Sequence, residues 1–199
     1  IHGIRPAELI EHQKKGGKVF GTFCVYVPDE IVFAADAIAT GLCGGSQFWV
    51  PGGEKVLPAN TCPLIKASVG ARLDRTCPFF RIADMFIGET TCDGKKKAWE
   101  ILAKDVPLHV MDLPQMKRAK DIKAWAEEIE TFKNVVEEFT GNVVTAEKLA
   151  VTKTFFFGFN SDVWLHHCIA CNEFNILLFE HILNSADRAT VFWHKNIVY

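Results

Sequence analysis

Helix-like and strand-like patterns of hydrophobic residues alternate through the first 150 residues of this chain. Aromatic and β-branched residues predict a strand over residues 18–26, and apolar runs predict further strands over residues 39–43, 79–88 and 108–111. Helix-start signals and helical spacing predict helices over residues 4–15, 28–38, 63–71 and 98–104, with a loop before residue 58. The clearest helix spans residues 121–140, where five apolar side chains recur at helical spacing: Trp125, Ile129, Phe132, Val136 and Phe139.

This alternation of strands and helices predicts an α/β fold, in which helices cover a parallel sheet of about four strands. Ligands bind such sheets beyond the carboxyl ends of the strands. After about residue 148 the pattern changes, because the apolar runs 155–159 and 176–179 have no regular period. We therefore predict one domain over residues 1–150 and an appendage over residues 151–199.

Composition and charge restrict the class of protein. The chain has 199 residues, 49% of them hydrophobic and 23% charged, which is typical of a folded protein and not of a disordered one. Its net charge of −2 gives no electrostatic reason to expect binding to nucleic acid, and no apolar run is long enough to predict a membrane span. The first residue is Ile1 and no secretory signal follows, so we expect a soluble, cytoplasmic fragment that lacks its original start.

The chain contains seven cysteines: Cys24, Cys43, Cys62, Cys77, Cys92, Cys168 and Cys171. The odd number and the missing secretory signal argue against disulfides, because cytosolic thiols stay reduced. Metal binding, catalysis and core packing remain as alternatives. The first five cysteines each stand beside a turn signal, which favours metal binding over packing.

Four of the cysteines are expected to meet at one edge of the predicted sheet. Cys24 falls near the end of the first strand, Cys43 ends the second, Cys92 follows the third, and Cys62 comes just before a helix. Cys77 precedes the third strand and therefore falls at the opposite edge. A free cysteine often behaves as a small buried hydrophobe, so core packing stays an alternative for each of them.

Residues 88–97 form the most informative stretch, because an apolar strand leads into a polar turn and then into a helix start. The N-terminus of a helix has unpaired N–H groups and the positive end of its dipole, which stabilise a thiolate. Cys92 in the turn is therefore placed to be reactive or to hold a metal, and a small buried thiol is the alternative.

A second group of possible metal ligands lies in the appendage. His166, His167, Cys168 and Cys171 have the close spacing with which a tetrahedral zinc site begins. No second pair of ligands follows them, so a zinc site here is the weaker hypothesis.

Six motifs follow one another along the chain: CVYVPDE over residues 24–30, GLCGGS over 41–46, LPANTCPLIK over 57–66, CPFF over 77–80, GETTCDGKKK over 88–97 and HVMDLP over 109–114. Together they resemble the 2-hydroxyacyl-CoA dehydratase and benzoyl-CoA reductase family, in its D-component-like part. The cysteine pattern is most similar to the branch that carries a double-cubane iron–sulfur cluster. The likeness covers the first 150 residues or so.

The resemblance implies a Rossmann-like sheet and an iron–sulfur cluster, of [4Fe-4S] or double-cubane type, held between two such domains in the full family protein. Cys24 and Cys62 match the two cysteines that ligate the cluster across the family. Cys92, and less closely Cys43 and Cys77, match the additional cysteines of the double-cubane branch. Thiolates suit iron–sulfur clusters because they are soft donors.

The resemblance also implies a reaction and partners. The family carries out low-potential reduction or radical dehydration, with electrons from an ATP-hydrolysing iron–sulfur activator protein. We accordingly expect that activator as a partner, a homo- or heterodimer, and the cytoplasm of an anaerobe.

Other polar residues lie near the predicted cysteine edge. Tyr26 and Glu30 lie beside Cys24, where a proton donor would be useful, although Tyr26 is alternatively an aromatic that closes the end of the sheet. The lysine run 95–97 either offsets the charge of a cluster or forms a solvated helix face. His109, in a predicted strand, is interpreted as a core histidine with satisfied hydrogen bonds in preference to a base.

The chain departs from the family in its second half. The second α/β domain, with its remaining cluster cysteines, has no counterpart here, and residues 152–199 align with nothing in the family. A truncation, a frameshift or a distinct appendage would each explain the tail. Two hypotheses therefore stand: the N-terminal part of a reductive iron–sulfur enzyme, or an inactive, cluster-free fragment with ordinary buried thiols.

Overall fold

The computed structural model describes residues 3–24, 26–42 and 44–158, and for residues 153–158 only the backbone. The strands are β1 (Val19–Thr22), β2 (Ile38–Gly41), β3 (Met85–Glu89) and β4 (Leu108–Met111). The helices are α1 (Ile4–Lys14), α2 (Asp29–Ala34), α3 (Val50–Glu54), α4 (Pro63–Leu73), α5 (Pro78–Ile82), α6 (Asp93–Leu102), α7 (Ala119–Thr140) and α8 (Ala146–Gly158). A short 3₁₀ helix, Gln47–Trp49, leads into α3.

The four strands form one parallel sheet in the order β2-β1-β3-β4, which confirms the predicted α/β class. In the register, Val19 pairs with Ile38, Phe20 with Met85, and Phe86 with Leu108. The central strands β1 and β3 are buried along their whole length, as expected where helices cover both faces of a sheet.

The sheet separates two apolar clusters, one on each face. Side chains along a strand alternate between faces, so Phe20 and Ile87 pack into one cluster while Val19 and Phe86 pack into the other. The first cluster includes buried side chains of α2, α7 and α8, and the second includes side chains of α1, α4, α5 and α6. The apolar stripe predicted on the long helix is buried in the first cluster, and that helix ends at Gly141 with φ = 75°, as the sequence predicts.

The order of the strands creates a switch point between β1 and β3. The chain leaves β1 through α2 towards one edge of the sheet, and returns from β2 to β3 through helices on the opposite face. The connections after β1 and β3 therefore diverge, and sheets of this type bind their ligands at the carboxyl ends of the strands beside such a switch point. This edge of the sheet is where the sequence predicts the cysteines to meet.

Two predicted elements are wrong in part. Residues 79–82 form helix α5 and not the first half of a strand, because Pro78 suits the first turn of a helix and lacks the N–H group that a central strand needs. The predicted loop before residue 58 contains α3, which packs directly on α4. A β-carbon at Gly53 would lie 2.0 Å from the carbonyl oxygen of Lys66, so glycine permits this approach.

Other boundaries differ by a few residues. The first strand ends at Thr22 instead of residue 26, and the second begins at Ile38 and shortens the helix before it. Helix α8 crosses the predicted domain boundary at residue 150, and its Leu149 is buried in the first cluster. Among the described residues, no helix is both long enough and apolar enough to cross a membrane.

Candidate functional site

Three cysteines lie at the carboxyl edge of the sheet, beside the ends of strands or the starts of helices. Cys24 comes two residues after β1, and Cys92 three residues after β3. Cys92 is the N-cap residue of α6 and Cys62 is the N-cap residue of α4, each in an extended or near-extended conformation. The Cys62 and Cys92 residues are exposed, and Cys24 is partly buried. Thiols at two helix N-termini have unpaired N–H groups and positive dipole ends beside them.

The starts of α4 and α6 pack directly on each other. A β-carbon at Gly94, in the first turn of α6, would lie 2.7 Å from Ile65 Cδ1 in the first turn of α4. The same position is 4.0 Å from Cys92 Sγ and 4.0 Å from Cγ2 of Thr61, the residue before Cys62. Glycine at this position therefore lets the two cysteine-bearing helix starts lie side by side.

A buried ion pair connects Cys24 with the start of α6. Glu89, the last residue of β3, is completely buried, and its Oε1 accepts a hydrogen bond from Nζ of Lys95. The Cys24 side chain also hydrogen-bonds to the Glu89 carboxyl group. Burial raises the pKa of Glu89, while Lys95 and Cys24 act in the opposite direction. Of the lysine run, Lys95 thus faces inward, and residues 96 and 97 form the solvated helix face that was the second interpretation.

The turn between β3 and α6 is tied to the neighbouring strand. The backbone N–H of Thr90 donates to the carbonyl of Met111 at 3.1 Å, and its hydroxyl donates to Oδ1 of Asp112 at 2.8 Å. The same hydroxyl accepts a hydrogen bond from the backbone N–H of Leu113 at 2.8 Å. The turn that bears Cys92 is therefore held at its start, at Thr90, by three hydrogen bonds to the residues at the end of β4.

A second buried lysine holds the chain segment that leads to Cys62. Lys66, in α4, is 5% exposed, and its Nζ donates to Oε1 of Glu54 at 2.7 Å and to the carbonyl of Ala59 at 3.0 Å. These two bonds hold the segment between α3 and α4 against the helix that Cys62 caps.

Carboxyl groups with raised pKa values begin helix α2, at the same edge of the sheet. Burial, followed by the charge of Glu30, raises the pKa of Asp29 to about 7, and burial also raises the pKa of Glu30. Oδ1 of Asp29 is buried and has no hydrogen-bond partner among the described residues. Tyr26 lies in the segment that joins Cys24 to this helix and is partly buried.

Residues 24–152 match the family model described as 2-hydroxyglutaryl-CoA dehydratase, D-component. The chain belongs to this family. It is 39% identical over 142 residues to "Putative dehydratase subunit YjiM" of Escherichia coli (strain K12), an alignment that covers 71% of this chain and 37% of that protein. The chain thus spans little more than a third of the length of this curated relative.

Of the other predicted ligands of this dehydratase-family chain, only Cys77 lies in the part that the structure describes. Cys77 is buried at the N-terminus of α5, in the apolar cluster that contains Leu9 and Phe80, which favours the packing interpretation for this thiol. Cys43 lies outside the described residues, as do the four histidines and cysteines of the proposed zinc group at 166–171.

The cysteine thiols are donors that suit an iron–sulfur group, but they do not form a complete set of metal ligands in this arrangement. Within residues 3–24, 26–42 and 44–158, no three His, Cys, Asp or Glu side chains lie close enough to hold a single metal ion. Exposed thiols at two adjoining helix starts are nevertheless the kind of donor by which proteins hold iron–sulfur clusters. The exposure of Cys62 and Cys92 also argues against ordinary buried thiols at these two positions.

Sequence reasoning assigned no role to Glu89 or Asp29. No local pattern marks Glu89, because a separation of six residues from Lys95 is not a helical pair spacing and only the tertiary structure shows that the pair is buried. Asp29 has no local signal either, because its neighbour Glu30 has the same chemistry and only the partnerless Oδ1 in the structure distinguishes Asp29. His109 packs its ring on Phe132 at 5.9 Å between centroids, and burial lowers its pKa, as for a core histidine. Its buried Nε2 has no hydrogen-bond partner among the described residues, so the prediction that its polar atoms are satisfied is wrong for this nitrogen.

Proposed function

We propose that this chain is the N-terminal, cluster-binding part of an iron–sulfur protein of the 2-hydroxyglutaryl-CoA dehydratase family, with Cys24, Cys62 and Cys92 as ligands. The observation that carries the proposal is the packing of the two helix starts at Gly94, which brings the Cys62 and Cys92 turns together. Cys24 is linked to the same place through Glu89 and Lys95.

The proposed cofactor is a [4Fe-4S] or double-cubane cluster, which would supply electron transfer at low potential. The residues of the chain bind and orient it: the thiolates as ligands, and the N–H groups of two helix starts as donors towards negative charge. Cys43 and Cys77 are retained as additional candidates, with Cys77 the less favoured because of its burial in the core.

The proposed reaction class is low-potential reduction or radical dehydration, with Tyr26 and Glu30 as proton donors. Burial raises the pKa of Glu30, so this carboxyl group keeps its proton to a higher pH than an exposed glutamate does. An ATP-dependent iron–sulfur activator is the proposed electron source in an anaerobic cytoplasm. Because the chain spans 37% of its curated relative, the remaining part of the site is proposed to come from a further domain or from the second subunit of a dimer.

Anaerobic reconstitution of the 199-residue chain with iron and sulfide tests the proposal. We expect iron and acid-labile sulfide to bind together with a broad visible absorption band. Cys62→Ala and Cys92→Ala should lose most of the bound iron. Cys77→Ala tests the less favoured candidate: as a thiol packed in the core, Cys77 should be dispensable for iron binding, and a loss of iron in this variant would make it a ligand. A wild-type chain that takes up no iron would contradict the proposal and support the cluster-free alternative.

A further inference from the structure

The charged pair at the end of β3 needs an explanation, because every other residue of that strand is apolar or glycine. Glu89 is fully buried and the Lys95 side chain is only 19% exposed. Burying two charges costs free energy, and an apolar pair at such positions is often at least as stable. Glu89 Oε2 is buried and has no hydrogen-bond partner among the described residues, so the carboxylate is not even fully satisfied.

The contacts of Glu89 reach two other segments, the helix α6 that follows it and the distant segment after β1. Its carboxylate accepts from Lys95 in the first turn of α6, and it interacts with the Cys24 side chain after β1. Its backbone carbonyl accepts a hydrogen bond of 2.9 Å from Nε1 of Trp99, one turn further along α6. One residue therefore connects the strand end that bears Cys24 to the helix that Cys92 caps.

We propose that Glu89 and Lys95 are positioning residues of the cysteine edge: the carboxylate joins the Cys24 segment to the start of α6, and the pair places one negative and one positive charge beside the candidate ligands. The first half of this inference concerns the chain alone. The second half, the effect on a bound cluster, rests on the proposed function.

The positioning role is tested on the chain without metal by hydrogen–deuterium exchange. We expect Glu89→Gln to speed exchange several-fold in two separate peptides, one covering residues 22–28 and one covering residues 89–96, because an uncharged amide binds the Lys95 ammonium more weakly than the carboxylate does and so loosens the connection between them. Lys97→Gln is the matched control, since Lys97 is on the same helix but pairs with Glu100 at the surface. It should leave both peptides unchanged.

The electrostatic role is tested by the reduction potential of the reconstituted chain. Cluster potentials respond to nearby charge, so loss of the Glu89 anion should raise the potential, and loss of the cation in Lys95→Gln should lower it. The double variant Glu89→Gln/Lys95→Gln, which leaves no unpaired buried charge, should return close to the wild-type value. A purely structural role would move both single variants in the same direction.

The outcomes separate this inference from the proposed function. Unchanged exchange in both peptides of Glu89→Gln, or shifts of potential with the same sign in both single variants, would overturn it. If a single variant does not fold, the charge-neutral double variant is measured in its place. Faster exchange in both peptides would then support the positioning role, and unchanged exchange would overturn it. If the wild-type chain binds no iron, the proposed function fails, while the exchange experiment still decides whether Glu89 joins the two segments.

Discussion

Replacing Asp29 by asparagine tests whether the start of α2 buries an ionisable group at the cysteine edge. Burial and the charge of Glu30 raise the pKa of Asp29 to about 7, from an ordinary value of 3.8. The buried Oδ1 without a partner among the described residues supports the same conclusion from geometry. The asparagine side chain has the same shape and no charge, so the variant isolates the cost of ionising this group.

The direction in which stability changes with pH follows from the number of protons that the folded and unfolded states bind. Between pH 3.8 and about pH 7 the folded state keeps a proton that the unfolded chain releases, so the native protein loses stability as the pH rises through this range. At about 1.36 kcal/mol per pKa unit, the loss is at most about 4 kcal/mol. The dipole of α2 favours the charged form by about 0.3–1 kcal/mol, which reduces the difference. We expect Asp29→Asn to be about 2–4 kcal/mol more stable than wild type near pH 8 and equally stable near pH 4.

Urea unfolding of both proteins at the two pH values measures this difference, because all other titrating groups are shared. Asp36→Asn is a suitable control, since Asp36 is exposed and its pairing with Lys148 lies at the surface. It should show almost no pH-dependent difference from wild type. An Asp29→Asn variant that is no more stable than wild type near pH 8 would refute the reasoning.

Two further variants test the packing that presents Cys62. In Gly53→Ala the new methyl group would lie 2.0 Å from the backbone carbonyl oxygen of Lys66, so we expect a loss of about 3 kcal/mol or more in the free energy of unfolding, whereas Gly41→Ala, which meets nothing within 4 Å, should change it little. Removing the buried ammonium in Lys66→Met should cost about 1–3 kcal/mol, because it releases Glu54 and Ala59; Lys55→Met, which breaks an exposed pair with Asp74, should cost less than about 1 kcal/mol. Equal losses within either pair, measured by thermal or urea unfolding, would contradict this description of the segment before α4.

The placement of the cysteines was partly predictable, because it depends on local signals and on one topological rule. Cys92 follows an apolar strand and precedes a helical pattern, and Cys62 precedes a proline that suits a first helical turn. In a parallel sheet the carboxyl ends of all strands fall at the same edge, so Cys24 and Cys92, which follow strands, had to lie at that edge. The assignment of Cys77 to the opposite edge followed from the same rule.

The order of the strands was not predictable from these signals. Alternating strands and helices indicate a parallel sheet, but β3 pairs with β1, and β2 is left at the edge. An order in which β1 and β3 are neighbours is what places their ends side by side. Without it, Cys24 and Glu89 would have no reason to meet.

By itself, the sequence determined the α/β class, the four strands in outline, the long helix and its glycine cap, because these features depend on periodicity and turn chemistry within short stretches. The tertiary structure decided which polar groups are buried: the Glu89 side chain and Oδ1 of Asp29 lie inside, whereas the Asp93 side chain is exposed. It also decided that Cys77 packs in the core while Cys62 and Cys92 are exposed. Burial depends on which distant segments come together, and that information is not contained in any local pattern.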